Sequence, residues 1–269
     1  MDGSSFRISE TKPLFRLAEA DGPAYEVYAP GRVSRYLVVC DHARNRIPAC
    51  LGDLGLSESA RQEHFAWDPG SEELGRYLAD LLGASAIMAG FSRLVIDPNR
   101  VLTNPALCSP HEDETDIPGN IGISEAEKQA RIDQLFVPYH TAIADALAAI
   151  RARGEEPVLI SPHSFVPQYR KGEYRPWHIG VLWREDQRMS RPFINALRAR
   201  GDLEVGDNQP YCRRSYRFHT IEHHAEDVGI ANLLFEVRHD LIRTDAEQKR
   251  WAGIIYEALP KAICQSLSD

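Results

Sequence analysis

Short apolar runs separated by amphipathic stretches constrain the fold of this chain more than any other feature. Each run is rich in Val, Ile or Leu and is apolar at nearly every position, which is typical of strands covered on both faces of a sheet. Six such runs predict strands at residues 36–40, 86–89, 94–96, 158–161, 179–183 and 233–237.

The segments between these runs have helical spacing. Residues 71–82 carry one apolar stripe, and Gly83 is the predicted end of that helix. Ser124 begins a capping box and a long helix that Pro138 should kink or divide. Two more helices are predicted at residues 189–200 and from Asp245 toward Cys264. The alternation predicts an α/β fold: a single domain over residues 1–269 with a mostly parallel mixed sheet and helices on both faces.

Composition narrows the possible functions. The chain of 269 residues is 43% hydrophobic and 26% charged, which indicates a globular core and excludes a disordered chain. Its formal net charge of −8 and its lack of a long basic run argue against a nucleic-acid partner. A local basic pocket for a small anionic substrate remains compatible with this balance.

The cysteines and the first residues predict the location of the protein. The five cysteines are widely spaced and form no CxxC pair, which favours a reducing, cytoplasmic setting. Residues 1–14 lack the apolar core of a signal peptide. No apolar stretch reaches the roughly 20 residues of a membrane helix. We therefore expect a cytoplasmic protein with no membrane partner, and its oligomeric state stays open.

Two stretches lack a regular pattern. Residues 101–122 are rich in Pro, Asn and Gly, and a segment of this length favours a functional loop or lid. Residues 167–176 form a second irregular stretch that is polar and aromatic.

A histidine stands at the end of two predicted buried strands. His42 follows the run that ends at Cys40, and His163 follows the run at 158–161. Ligands and chemistry sit at the carboxyl ends of strands in open α/β sheets, so the two imidazoles could meet and hold a metal. Asp41 could then orient His42 through its other ring nitrogen, or could bind the metal itself. Each histidine taken alone could equally be a buried residue bonded to its own loop.

Two carboxylates could complete such a site. Asp68, in the turn at residues 67–70, is a candidate third ligand or else a helix cap. Glu236 lies inside an apolar run, where an unpaired charge is costly. That placement predicts either an ion pair with Arg238 or another arginine, or a general base for metal-assisted hydrolysis.

Polar residues also follow the run at 94–96. Arg100 could bind a substrate carboxylate through two hydrogen bonds, Asn99 could orient the substrate, and Asp97 could hold the arginine. The alternative is a turn with local hydrogen bonds. A structural role is predicted for His178, and a mostly solvated position for His219, His223 and His224.

Together these motifs resemble the N-formylglutamate amidohydrolase family. The resemblance runs in order over residues 36–243. The segments that carry it are residues 41–48, 67–70, 92–100, 117–120, 138–140, 163–165, 175–177 and 235–240.

The resemblance implies a phosphorylase/hydrolase-like α/β fold related to that of zinc carboxypeptidases. It also implies hydrolysis of a small anionic N-acyl amino acid, with formylglutamate giving formate and glutamate. Zinc enzymes of that group use a His-x-x-Glu motif and a distant histidine; here Asn45 stands at the glutamate position, and Asp68 is the substitute candidate. By the same resemblance, Asn99 and Arg100 grip a substrate carboxylate, and Glu236 is the general base.

The resulting hypothesis is a zinc amidohydrolase, with another divalent metal as a variant. The metal ligands would be His42, Asp68 and His163, and the catalytic residues Glu236 and Arg100. The substrate-binding set would be Asn45, Arg93, Asn99, Arg100 and Arg238. Two alternatives stay open: a metal-independent hydrolase with Ser161, Ser164 or Cys40 as nucleophile, and a non-catalytic protein that binds a small molecule.

Overall fold

The computed structural model describes residues 14–212 and 218–266. Within them the strands, β1 to β9 in chain order, are Tyr25–Tyr28, Tyr36–Cys40, Ser85–Ala89, His111–Glu112, Thr115–Asp116, Val158–Phe165, Ile179–Leu182, Val205–Asp207 and Ala231–Arg238. The helices, α1 to α7, are Glu58–Arg61, Ser71–Leu82, Glu125–Arg131, Val137–Ala152, Ser190–Arg198, Thr220–His224 and Asp245–Ser266. The part of the chain described in this way contains no helix long and apolar enough to cross a membrane.

Seven of the strands form one mixed sheet in the order β1-β3-β2-β6-β9-β7-β8. Four neighbouring strands, β3, β2, β6 and β9, run parallel. Strand β1 is antiparallel to β3, and β7 is antiparallel to β9 but parallel to β8. The predicted α/β class with a mostly parallel sheet is confirmed. The carboxyl ends of β2, β6 and β9, which carry the predicted site residues, therefore meet at one edge.

Both faces of the sheet are covered by helices, because successive side chains of a strand point to opposite sides. In β2, Val38 and Cys40 pack into a core with residues of α2, α5 and α7. Leu37 and Val39 pack on the other face with residues of α4 and α6. Helix α2 has the predicted bounds and ends at Gly83, whose left-handed backbone (φ 58°) suits a residue without a Cβ.

The strand predicted at residues 94–96 is wrong. These residues form a turn, and their apolar side chains pack in a third core beneath the long irregular loop. Buried side chains take the place of a strand partner: Arg131 Nη1 donates to the Val95 carbonyl at 3.0 Å, and Asn120 Nδ2 donates to the Leu94 carbonyl at 2.7 Å. The apolar run reflects burial and not sheet pairing.

The long helical pattern after Ser124 is divided, as Pro138 predicts. A π-helical segment, Ile132–Phe136, separates α3 from α4, and Pro138 lies in the first turn of α4, where a proline is tolerated. Ser124 caps α3 by accepting from the Glu127 backbone N–H at 3.1 Å. The Glu127 carboxylate does not return to Ser124; it accepts from the Phe15 N–H at 2.7 Å and from Arg131 Nε at 3.2 Å.

Candidate active site

Three elements bring His42, Asp68 and His163 together, and all three side chains are buried. His42 follows the end of β2, and His163 lies in the second half of β6. Asp68 precedes α2, and its backbone N–H donates to the His42 carbonyl at 2.9 Å. One ligand atom from each residue lies within 4.8 Å of the others. The predicted ligand set is therefore a compact cluster at the carboxyl edge of the sheet.

Each histidine of this cluster lies between two carboxylates. His42 places Nε2 2.8 Å from Asp97 Oδ1 and Nδ1 3.4 Å from Asp68 Oδ2. His163 places Nδ1 2.8 Å from Asp68 Oδ2 and Nε2 3.3 Å from Asp41 Oδ2. A histidine that binds a metal through one nitrogen usually donates its other N–H to such a carboxylate. Asp97 and Asp41 lie where that role requires them.

The expected partner of His42 was wrong. Asp41 was predicted to orient His42, but its carboxylate faces His163, and Asp97 faces His42. Asp41 and His42 are neighbours in the turn that follows β2, and their side chains reach different partners. Asp41 Oδ1 also accepts from the Tyr139 hydroxyl at 2.8 Å and from the Thr220 hydroxyl at 2.7 Å. The Asp41 carboxylate is therefore held by side chains of α4 and α6.

The protonation of His42 shows that the donor set suits a cation. Burial, assisted by the charge of Arg93, lowers the pKa of His42 to about 4, so the ring is neutral at pH 7. A neutral imidazole has one N–H, and the shorter contact assigns it to Asp97. The lone pair of Nδ1 then faces an Asp68 oxygen, a repulsive arrangement that a divalent cation between them would relieve. Two imidazoles and one carboxylate are also a ligand set that zinc accepts.

Asp68 has two further neighbours, one of them unexpected. Its Oδ1 atom contacts Nη2 of Arg93, which was predicted as a substrate-binding residue. His64, buried and not singled out from the sequence, places Nδ1 3.6 Å from the same oxygen. Burial, together with the charge of Arg93, holds the pKa of His64 well below its ordinary value. Only its i, i+4 spacing to Asp68 could have indicated the second contact.

Glu236 lies on β9 directly opposite His163 of β6. It is buried, and its Oε2 atom has no hydrogen-bond partner among the residues that the structure describes. Burial raises the pKa of Glu236 to about 7, against the lowering effect of His163, Arg93 and Arg175. The ion pair with Arg238 that was the structural alternative does not form, because Arg238 Nε donates to Asp240 at 2.8 Å. Glu236 is thus a buried carboxyl group with a pKa close to neutral pH.

A cavity of about 920 Å³ opens above this cluster. The two irregular stretches at 101–122 and 167–176 contribute much of its wall. Ion pairs join them across the mouth, from Lys171 to Glu114 at 2.5 Å and from Arg170 to Asp113 at 3.9 Å. The predicted residues that line the cavity are His42, Asp68, Arg93, Asn99, Arg100, His163 and Glu236.

Two predicted substrate-binding residues are not in the cavity wall. The Asn45 side chain donates to the Arg61 carbonyl and to Gln62 Oε1, both at 3.1 Å, so it fixes the segment around α1. Arg238 Nη1 donates to the Tyr174 hydroxyl and to the Pro176 carbonyl, both at 3.1 Å. It therefore supports the loop at 167–176. Both were selected for residue type and position in a motif, which do not reveal side-chain direction.

Arg100 and Asn99 line the cavity but already have protein partners. Arg100 Nε donates to Asp97 at 3.1 Å, and its Nη2 lies 3.4 Å from Glu112. Asn99 Oδ1 accepts from the Thr220 N–H at 3.2 Å. Arg100 therefore supports the Asp97 carboxylate, and the Asn99 side chain fixes the start of α6.

The histidines predicted to be mostly solvated are largely packed. His224 and His140 are buried, with Nε2 of the first 2.9 Å from Nδ1 of the second. His219 stacks on His223, which alone of the predicted group is exposed. His178 has the structural role expected of it, accepting from the Glu204 N–H at 3.0 Å.

Comparison with known proteins places this arrangement in a family. The family model described as N-formylglutamate amidohydrolase matches residues 34–243, well over half of the chain. The chain belongs to the N-formylglutamate amidohydrolase family. The matched range contains every predicted ligand and Glu236.

Two solved structures are similar in fold. Gene product Atu2144 from Agrobacterium tumefaciens is similar over 94% of this chain and 99% of its own, with 35% identity and a TM-score of 0.89. An N-formylglutamate amidohydrolase from Ralstonia eutropha JMP134 is similar over 91% of this chain and 97% of its own, with 18% identity and a TM-score of 0.56. At that identity the second likeness shows the fold alone. No curated protein gives a significant match.

Proposed function

We propose that this family member is a metal-dependent amidohydrolase. It would use water to hydrolyse the amide of a small anionic N-acyl amino acid such as N-formylglutamate. The products would be a carboxylate and a free amine. One observation carries the proposal: Oδ2 of Asp68 and a ring nitrogen from each of His42 and His163 converge beside the unpartnered carboxyl of Glu236. A Lewis-acid site next to a carboxyl whose pKa is near 7 is an arrangement that can hydrolyse an amide.

His42, Asp68 and His163 would hold the divalent metal, with zinc as the first candidate. When bound, such an ion polarises a carbonyl and makes water acidic enough to attack near pH 7. Asp97 and Asp41 would keep the two rings in the tautomer that binds it. Arg93, in contact with Asp68, supplies a positive charge for the oxyanion that develops on the acyl oxygen.

Glu236 would move the proton in both halves of the reaction. Its carboxylate takes a proton from the attacking water as the new C–O bond forms. The protonated carboxyl then gives that proton to the amine nitrogen as the C–N bond breaks, so atoms and charges balance. A pKa of about 7 is close to the value that suits a group acting first as base and then as acid.

The metal-independent alternative has little support from the candidate nucleophiles. Burial raises the pKa of the Cys40 thiol well above its ordinary value, so the reactive thiolate is disfavoured. Ser164 donates to the Pro69 carbonyl at 3.1 Å, and that carbonyl cannot act as a base. Ser161 is fully buried.

Replacing Glu236 tests the proposed reaction. We expect Glu236→Gln to lower kcat/KM for N-formyl-L-glutamate by about 10²–10⁴-fold, because the amide cannot take the proton. Release of free amine is the readout. Glu155→Gln, at an exposed carboxylate paired with Arg153, is the matched control and should keep wild-type turnover.

The same assay separates the proposal from its rivals. We expect a chelator to abolish turnover and zinc to restore it. Near-normal turnover of Glu236→Gln would contradict the general-base role. Zinc-loaded wild type that hydrolyses no N-acyl amino acid would favour the binding-protein alternative, and inactivation by a serine or thiol reagent with indifference to chelators would favour the nucleophile alternative.

A further inference from the structure

Arg175 is held in the cavity wall by two tyrosine rings. Its guanidinium carbon lies 4.2 Å from the centre of the Tyr169 ring and 4.9 Å from the centre of the Tyr211 ring. The two tyrosine hydroxyls lie 2.8 Å apart. Aromatic contacts of this kind fix the plane of a guanidinium and leave its N–H edge available to a planar anion.

One edge of this guanidinium has no protein acceptor. Arg175 Nη1 lies 3.2 Å from the Tyr211 hydroxyl and 3.4 Å from the Val166 carbonyl. Across residues 14–212 and 218–266, Nε and Nη2 make no hydrogen bond or ion pair. Those two atoms form the pair of parallel donors that matches the two oxygens of a carboxylate.

Each of the other arginine and lysine side chains in the described cavity wall contacts a carboxylate. Arg93 contacts Asp68, Lys171 pairs with Glu114, and Arg100 lies against Asp97 and Glu112. Among these described lining residues, Arg175 is the cation with no carboxylate partner. For an anion that enters the cavity, Arg175 is therefore the least compensated positive charge in the described wall.

Arg175 and the proposed reacting groups line the same cavity. Its wall includes His42, Asp68, His163, Glu236 and Arg175. A molecule bound in this cavity can therefore face both Arg175 and the cluster of His42, Asp68 and His163.

We propose that Arg175, clamped between Tyr169 and Tyr211, binds a carboxylate of the substrate and so selects N-acyl amino acids over neutral amides. This rests on the proposed function for the identity of the substrate, but not for the binding of the anion. It reassigns to Arg175 the role that family resemblance gave to Arg100. Arg100 instead positions Asp97, and through it His42.

Binding of glutarate tests the proposal without requiring turnover. Glutarate carries two carboxylates and no amide, and calorimetry gives its Kd with and without zinc, since zinc itself can bind carboxylates. We expect Arg175→Gln to weaken binding by about tenfold or more under both conditions, because a charge-assisted pair is lost. Arg175→Lys should recover part of the affinity, because a lysine keeps the charge but not the paired donors.

Arg170→Gln is the matched control. Arg170 lies on the same loop, is half exposed, and faces Asp113 at 3.9 Å, so the variant removes the same charge outside the cavity. It should bind glutarate within about twofold of wild type, as expected for a weak surface ion pair. Thermal unfolding of every variant verifies that the loop substitutions leave the fold intact.

Turnover supplies the second readout. Wild type should discriminate against N-formyl-L-glutamine or N-formyl-L-isoglutamine, in which one carboxylate is an amide, mainly through KM. In Arg175→Gln the discrimination against one of the two should disappear, which also identifies the carboxylate that is bound. A variant that keeps wild-type discrimination against both overturns the proposal.

The two proposals fail in different ways. Glutarate binding that is absent from wild type, or unchanged in Arg175→Gln, overturns the role of Arg175 even if N-formyl-L-glutamate is hydrolysed. Binding that depends on Arg175, in a protein with no turnover, supports this role and overturns the proposed function.

Discussion

At the scale of single residues, the candidate site depends on carboxylates that do not themselves belong to the ligand set. Asp97 and Asp41 each face the outer nitrogen of one histidine, at 2.8 Å and 3.3 Å. Their removal should change the tautomer of the ring and so the metal affinity, while the ligands themselves remain.

We expect Asp97→Asn and Asp41→Asn each to weaken zinc binding by about 10–100-fold, as loss of such a partner commonly does. Competition with a chromogenic chelator measures the affinity. Asp116→Asn is the control, because its Oδ1 lies 2.8 Å from Nδ1 of the exposed His111, which is not one of the proposed ligands. Unchanged affinity in both cavity variants would show that the rings are oriented in another way.

The buried carboxyl of Glu236 should make the metal-free protein less stable as pH rises. Its pKa is about 7 when folded against an ordinary 4.5, so the folded state keeps a proton that the unfolded chain loses between these values. Stability due to this group is therefore full below about pH 4.5 and is lost as pH rises toward about 7, at a total cost of about 3 kcal/mol.

Urea unfolding of chelator-treated protein checks this sign. Between about pH 4 and about pH 8 the free energy of unfolding of Glu236→Gln should gain as much as about 3 kcal/mol relative to wild type. A relative stability that does not change with pH would mean that Glu236 is ionised in the folded protein at much lower pH.

Sequence reasoning located the central residues but not their partners. His42, His163 and Glu236 stand where apolar runs meet polar residues, so their place at the strand ends could be predicted. The sequence could not predict that Asp97 faces His42 and Asp41 faces His163, because this depends on the direction in which each carboxylate leaves the backbone. Side-chain direction also explains why Asn45 and Arg238 lie outside the cavity wall.

At the scale of elements, the turn at residues 94–96 shows why an apolar run can mislead. Arg131 is completely buried and bonds the Val95 carbonyl, Asn120 Oδ1 and Glu127. These side chains satisfy backbone groups that a strand neighbour would otherwise satisfy. An arginine thirty-odd positions along the chain supplies no local signal of this.

Removing Arg131 should therefore destabilise the turn at residues 94–96, which Arg131 supports. We expect Arg131→Met to lower the free energy of unfolding by about 3–5 kcal/mol, since the buried Glu127 carboxylate loses its cationic partner and the Val95 carbonyl loses its donor. Arg151→Met, at an exposed arginine of α4, should change it by less than about 0.5 kcal/mol. Equal effects in urea unfolding would contradict the structural role given to Arg131.

At the scale of the whole molecule, strand order creates the site. Strands β2, β6 and β9 are neighbours, so polar residues far apart in the chain meet at one edge. The inner strands could be predicted because both of their faces are buried. Strands β1 and β8 could not, because each is short and only partly buried, and the hairpin of β4 and β5 has two residues in each strand.

The metal content of the purified protein tests the central claim most directly. Elemental analysis would be made before and after zinc reconstitution on wild type, on His42→Ala/His163→Ala, and on the control His111→Ala/His223→Ala, which removes two exposed imidazoles. We predict about one zinc per chain in wild type and control and none in the ligand variant. Wild type without metal after reconstitution, or equal zinc in all three proteins, would contradict the account.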